Sequence, residues 1–200
     1  MALDDYERVH AENRAEWRCW LGANHARAPG AWLVSWKTAT GKPRVGYAES
    51  VEEALCFGWI DSLSRTVDEE RTQQLFTPRR PGSRWSRSNK ERVERLQADG
   101  LIEPAGLAAI ETAKAGGAWT ALDDVENLVV PDDLAAAFAA RADAAAHWES
   151  FPPSVRSAIL LWILDAKRPE TRAKRIAETA SEAAAGRRPG QWGRTVRTKR

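Results

Sequence analysis

The chain has 200 residues, of which 43% are apolar and 29% charged, and its formal net charge is +2. This is an ordinary globular balance, and the length fits one domain or one domain with a small appendage. The two cysteines, Cys19 and Cys56, lie 37 positions apart in no metal spacing, which indicates reduced thiols rather than a disulfide framework. The longest apolar run, residues 158–164, is far below the roughly 20 residues that cross a bilayer. The acidic N-terminus lacks an apolar signal core, so we expect a cytoplasmic protein.

The first 120 residues carry signals for a small sheet and several short helices. Capping boxes mark three helix starts, because a Ser or Asn is followed three residues later by Glu; the pairs are Asn13 with Glu16, Ser50 with Glu53, and Ser88 with Glu91. The expected elements in chain order are an edge strand or helical start at 7–11, a helix ending near 24, a strand at 31–37, a helix at 51–57, a hairpin of 60–67 and 72–78, a helix ending near 99, and a helix from Pro104 to about 116.

The strand at 31–37 is expected to be half-buried, because Trp32, Val34 and Trp36 alternate with smaller or polar residues. From residue 121 the chain is rich in alanine and reads as helical, with Pro153 and Pro169 at helix starts. The fold class predicted is α+β, with a small, mainly antiparallel sheet packed with helices and a helical C-terminal region. We expect three parts: an α+β region at 1–120, a helical region at 121–186, and a mobile basic tail at 187–200.

Charge is segregated along the chain. Residues 71–100 carry eight basic and three acidic residues, whereas residues 49–70 carry seven acidic residues and one arginine. Residues 186–200 carry six basic residues and no acid. Such asymmetry indicates the kind of partner a protein takes and says little about its fold.

One block, residues 47–96, concentrates Trp, Cys and Arg in the stretches ALCFGWIDS, LFTPRRPGSRWS and NKERVERL. These stretches resemble the YdeI/OmpD-associated family, also called bacteriocin-protection proteins, and the resemblance extends over roughly residues 17–186. It implies a small soluble bacterial protein linked by name to bacteriocin or antimicrobial-peptide tolerance. The resemblance brings no reaction, cofactor or catalytic residue with it.

The same block predicts a ligand site at the open end of the hairpin. Guanidinium groups bind carboxylates or phosphates, and Trp faces stack on planar groups or cations. The competing interpretation is an Asp–Arg pair with a buried Trp that only closes the core. The site residues predicted are Trp59, Asp61, Arg79, Arg80, Arg84 and Trp85.

Two other functions remain open at this stage. An enzyme acting on an anionic small molecule could use the same arginines with Asp61 as base. A nucleic-acid-binding protein could use the basic loop at 78–92 and the basic tail, although Glu91 and Glu94 interrupt the loop's charge. A protein partner could instead dock on the basic residues Arg172, Lys174 and Arg175.

Other reactive residues are interpreted as structural. Cys56 lies near a helix C-terminus, where the dipole opposes a thiolate, so we expect a buried, inert thiol. His25 is expected to cap a helix C-terminus, and Glu52 and Glu53 to form a solvated helix start. The histidines show no ligand spacing, so no metal and no cofactor are predicted. The sequence therefore favours a cytoplasmic protein that acts by binding an anionic or planar ligand, or a partner.

Overall fold

A computed structural model describes residues 3–189. The chain divides into two compact units between Ala121 and Leu122, and each is described by itself. The N-terminal unit contains a four-stranded sheet with helices, and the C-terminal unit is helical. The predicted α+β class is confirmed.

The sheet of the N-terminal unit has the order β1-β2-β4-β3. Its strands are β1 (Glu7–His10), β2 (Ala31–Trp36), β3 (Trp59–Thr66) and β4 (Arg71–Pro78). β1 pairs with β2 in parallel, and the other two pairings are antiparallel. β3 and β4 form the predicted hairpin, and the register shifts between Asp61 and Ser64.

The helices of this unit are α1 (Arg14–Asn24), α2 (Tyr47–Cys56), α3 (Arg87–Ala98) and α4 (Pro104–Ala115). Asn13 caps α1 by accepting the backbone N–H of Glu16 at 3.0 Å, as predicted. Pro104 is the first residue of α4, where its missing N–H costs nothing. The core between sheet and helices is built on large side chains, among them Trp17, Leu33, Leu55, Trp59, Phe76 and Trp85.

Four local predictions about this unit are wrong, of which the first two concern β2 and the start of α2. β2 is buried on both faces rather than half-buried: Trp32, Leu33 and Val34 are all buried. Leu33 faces the core, and the N-terminal segment covers the other face, where Nε1 of Trp32 donates to the carbonyl of Leu3 at 2.8 Å. Ser50 does not open α2, which begins one turn earlier at Tyr47, and its hydroxyl donates to the carbonyl of Tyr47 at 2.8 Å.

Glu53 is not a solvated residue either, since it is only 2% exposed. Its carboxylate bonds to Arg14 and Arg18 of α1. The neighbouring Glu52 bonds to Arg14 and to Arg95 of α3. The predicted solvated helix start is therefore wrong, because α1 and α3 pack over this face of α2. The capping box predicted at Ser88 is also wrong, because the N-cap of α3 is Ser86.

The helices of the C-terminal unit are α5 (Asp123–Glu126), α6 (Asp132–Ala139), α7 (Ala144–Ser150), α8 (Pro153–Leu164) and α9 (Pro169–Ala184). They enclose a second core that includes Leu134, Phe138, Trp148, Ile159 and Ile176. Arg172 of α9 binds Asp133 of α6 through two hydrogen bonds of 2.7 and 2.9 Å, so this arginine of the predicted partner surface is paired within the unit. The predicted basic tail lies outside the described residues from position 190 onward. Within residues 3–189 no helix is long and apolar enough to span a membrane.

Candidate functional site

The open end of the β3–β4 hairpin brings the two motif-bearing segments together. Trp59 pairs with Pro78 in the ladder, and the backbone N–H of Arg79 donates to the carbonyl of Gly58 at 2.9 Å. The chain then turns through a short loop that ends at Trp85. The backbone thereby places the side chains of Arg79 and Trp85 beside each other.

The guanidinium of Arg79 stacks on Trp85. Its Cζ atom lies 3.7 Å from the centroid of the indole ring, and its Nη2 donates to the carbonyl of Arg84 at 2.9 Å. Trp85 is 1% exposed and touches Trp119, with ring centroids 5.0 Å apart. A cation over a buried indole is held by the ring quadrupole, so the position of this guanidinium is well defined.

Two other donors of Arg79, Nε and Nη1, are buried and have no hydrogen-bond partner among the described residues. Burial lowers the pKa of the guanidinium to about 10, and the nearby charge of Asp61 opposes that effect. The group remains a cation at neutral pH. A buried cation with unpaired donors is costly, and native proteins generally satisfy such groups.

A cavity of about 170 Å³ lies next to this guanidinium. One wall is formed by Arg79, Arg80 and Trp85, and the other by the small residues Ala108, Ala109, Thr112 and Ala113 of α4. The small side chains of α4 leave this volume unfilled. The remaining volume suits a small polar group such as a carboxylate or phosphate.

The two other predicted arginines lie at the surface. Arg80 is exposed and also borders a second, larger cavity on the sheet. Arg84 is exposed, and its backbone carbonyl is the acceptor for Arg79. The structure therefore brings Arg79 and Arg80 to one cavity, while Arg84 contributes through its backbone.

Trp59 lies in the core. It is 1% exposed, its Nε1 donates to the carbonyl of His25 at 3.3 Å, and its ring meets Trp20 edge-to-face at 5.9 Å. Its contacts are those of a core residue, as the competing structural interpretation expects for one of the tryptophans. The cavity beside Arg79 is lined by Trp85 and not by Trp59.

Asp61 is partly buried and accepts hydrogen bonds on Oδ2 from the hydroxyl of Tyr47 at 2.8 Å and from Nε2 of Gln74 at 3.5 Å. Burial and the hydrogen bond to Asp61 raise the pKa of the Tyr47 phenol. The charge of Asp61 therefore acts on Arg79, although the two side chains form no hydrogen bond. Sequence reasoning missed Tyr47 as a member of this site, and no local signal marks it, because the contact spans two elements.

Two family models match the chain. Residues 9–109, half of the chain, match the family described as a domain of unknown function, DUF8412. The chain belongs to this family. Residues 127–186 match the family described as bacteriocin-protection, YdeI or OmpD-associated, which confirms the resemblance to that family. No curated protein and no solved structure matches the chain.

The two matches divide the chain in a way the motifs did not predict. The stretches FGWIDS and FTPRRP, and with them Arg79 and Trp85, lie in the DUF8412 match, whereas the bacteriocin-protection match lies in the helical part. The candidate site is thus a feature of the DUF8412 part of the chain.

A groove of about 630 Å³ along α1 is the main alternative in this unit. Its charged groups already have partners: Arg18 bonds to Glu53 and Glu103, and Nδ1 of His25 bonds to the carbonyl of Leu21. His25 is the C-cap of α1, as predicted. The predicted burial of Cys56 is also confirmed, and burial raises the pKa of its thiol. The groove therefore offers no buried charge that lacks a partner.

Proposed function

We propose that the N-terminal unit binds a small organic anion, whose acidic group enters the cavity between Arg79 and Arg80 beside Trp85. The observation that carries this proposal is the Arg79 guanidinium, which is buried, charged at neutral pH and left with two unpartnered donors. An anion in the adjoining cavity would supply the missing charge, and it would supply a missing acceptor once a small shift of the side chain opens Nε or Nη1 to the cavity. Charge-assisted hydrogen bonds of this kind are about twice as strong as neutral ones.

The stacking of Arg79 on Trp85 supports a role in binding. It holds the guanidinium in one orientation before any ligand arrives, so little side-chain entropy is lost on binding. The donor Nη2 is occupied by the carbonyl of Arg84, which limits rotation of the group further. A preorganised guanidinium favours an anion that accepts a hydrogen bond from one of its free donors.

We propose binding rather than turnover as the activity, and a cytoplasmic setting for it. Asp61 is the carboxylate at this site that could act as a base. It already accepts a hydrogen bond from the hydroxyl of Tyr47. The carboxylate of Asp61 lies close enough to Arg79 to offset part of its positive charge. A contribution to bacteriocin protection, which the description of the family matched at residues 127–186 names, would then depend on what the bound anion does to that part of the chain or to its partners.

Calorimetric titration of the full chain with acetate, benzoate and inorganic phosphate tests the proposal. We expect saturable binding of at least one of these anions, weakened by about 10- to 100-fold in Arg79→Met, since one charge-assisted contact is worth about 1.5–3 kcal/mol. Arg27→Met is the matched control, because Arg27 is exposed and bonds only to Asn24. Equal binding by wild type and Arg79→Met, or no binding by wild type, would refute the proposal.

A further inference from the structure

A second cavity, of about 770 Å³, lies on the sheet next to the first. Arg80 lines both of them. Its guanidinium is exposed and has no ion-pair or hydrogen-bond partner among residues 3–189. The exposed arginine therefore borders both the small cavity and the large one.

The large cavity has a mixed lining, with polar groups from Asp61, Ser62, Arg80 and Ser83 and an apolar part on the sheet. Leu75 and Thr77 of β4 alternate with Phe76, which points into the core, so they face the opposite side of the sheet. Ile60 of β3, directly across from Thr77 in the ladder, lies beside them. Tyr6 of the N-terminal segment closes one side.

Two exposed leucines line the same cavity: Leu63 is 44% exposed and Leu3 is 37% exposed. The register of the hairpin shifts between Asp61 and Ser64, on either side of Leu63. Bulges of this kind re-aim a side chain and are frequent next to binding sites. Exposed apolar groups gathered in a concave surface of this volume are typical of a ligand pocket.

The charges at the junction of the two cavities indicate the charge of the ligand. Arg79 and Arg80 contribute two positive charges and Asp61, which also lines the large cavity, contributes one negative charge. Asp61 is close enough to act on Arg79 through its charge. This set is complementary to a single negative charge and disfavours a dianion.

We infer that the ligand is an amphiphilic monoanion: its carboxylate lies between Arg79 and Arg80, and its hydrocarbon body lies along Ile60, Leu63 and Leu3, which line the large cavity and keep accessible surface. This inference rests on the proposed function and names the class of its ligand. The occupant is a free, monomeric acid rather than an acid in a membrane, because the carboxylate must enter a cavity of about 170 Å³ bordered by α4.

The test is a series of straight-chain carboxylates, from butanoate to octanoate, titrated calorimetrically into the full chain below their micelle concentrations. Each methylene buried should tighten binding by about fourfold, so octanoate should bind on the order of 100-fold tighter than butanoate. Octanol, which has the same body and no charge, should bind far more weakly than octanoate.

Two variants locate the hydrocarbon body. Leu63→Ser should weaken the binding of octanoate by about 10-fold and leave the affinity for butanoate unchanged, because only the longer chain reaches Leu63. Val67→Ser is the matched control, since Val67 is exposed on the same hairpin and does not line the cavity; it should leave both affinities as in wild type.

The outcomes separate this inference from the proposed function. If short carboxylates bind through Arg79 with no gain from chain length, the amphiphile is refuted and the anion site stands. If octanol binds as tightly as octanoate, or Arg79→Met binds octanoate like wild type, the anion site itself is refuted. If the protein sediments with vesicles of anionic phospholipid but binds no free carboxylate, the ligand is a membrane surface and the inference is wrong.

Discussion

Nη1 of Arg18 lies 2.7 Å from Oε2 of Glu53, a carboxylate that is almost fully buried between α1 and α2. Arg14 bonds to the other oxygen of the same carboxylate. Nη2 of Arg18 also donates to the carbonyl of Leu101 and forms an ion pair with Glu103, just before α4. One buried acid therefore ties α1, α2 and the start of α4 together, and it does so next to the strand end that carries the candidate site.

The first prediction concerns this acid. Glu53→Gln leaves two arginines facing a neutral group, and we expect a loss of about 2–3 kcal/mol in the free energy of unfolding, measured by urea denaturation. The value is reduced from that of a fully buried pair because both arginines are about one-third exposed. Glu111→Gln, which breaks the exposed pair with Lys114, is the control and should change stability by no more than about 0.5 kcal/mol. Equal effects in the two variants would contradict the buried network.

The second prediction compares two arginines that are both partly buried. Arg18 is paired and Arg79 has two unpartnered donors. Arg18→Met should lower the melting temperature clearly, because it leaves a buried carboxylate with one partner fewer. Arg79→Met should leave the melting temperature unchanged or raise it, because it removes a half-buried charge that has two unpartnered donors and that Asp61 offsets only at a distance.

Differential scanning calorimetry of both variants in a buffer without organic anions checks this contrast. A large loss of stability in Arg79→Met would show that the stacking on Trp85 and the bond to the carbonyl of Arg84 outweigh the cost of the buried charge. Arg79 would then be a structural residue, and the competing interpretation of the motif would hold.

The third prediction concerns the pH dependence of the Tyr47–Asp61 pair. Burial and the hydrogen bond to Asp61 raise the pKa of the Tyr47 phenol in the folded state. The stabilisation is therefore fully present below the ordinary pKa of tyrosine, and it is lost as the pH rises through the raised value. Asp61→Asn should lower the pKa of Tyr47, but not to the ordinary value, because burial remains the larger cause.

Ultraviolet titration of tyrosinate measures this shift. The chain has two tyrosines, so both the reference protein and the Asp61→Asn protein should carry Tyr6→Phe, which leaves one signal. An identical titration midpoint with and without Asp61→Asn would rule out the hydrogen bond between Tyr47 and Asp61.

The fourth prediction concerns the two thiols. Cys19 is exposed on α1, whereas Cys56 is buried and burial raises the pKa of its thiol. A colorimetric disulfide reagent should therefore modify one thiol per folded chain at neutral pH and two in denaturant. Cys19→Ser should abolish the fast reaction, and a fast reaction that survives in this variant would show that Cys56 is accessible.

Local signals predicted much of the fold. Pro104, Pro153 and Pro169 each occupy the first position of a helix, as expected, because a missing N–H and a fixed φ suit that place. The acidic turn at 68–70 joins the two predicted strands of the hairpin. Such signals act over a few residues, so the local structure that they predict does not depend on tertiary packing.

The errors have two physical causes. The predicted start of α2 is wrong because a competing local signal lies one turn earlier: the backbone N–H of Gly46 donates to Oε2 of Glu49 at 2.9 Å. The predictions for Glu53 and β2 are wrong because distant segments pack on them. Two arginines of α1 bond to Glu53, and the carbonyl of Leu3 accepts from Nε1 of Trp32 on the second face of β2.

The sequence by itself determined the α+β class, the starts of α1, α4, α8 and α9, the hairpin, the burial of Cys56 and the family resemblance, because each depends on neighbouring residues or on long specific stretches. Only the tertiary structure decided that Trp59 belongs to the core, that Tyr47 holds Asp61, and that Arg79 is stacked and incompletely paired while Arg80 borders two cavities. Those facts depend on which side chains reach a given arginine after α4 and the hairpin have packed. The sequence shows that an arginine is present. It does not show whether the donors of its guanidinium have hydrogen-bond partners.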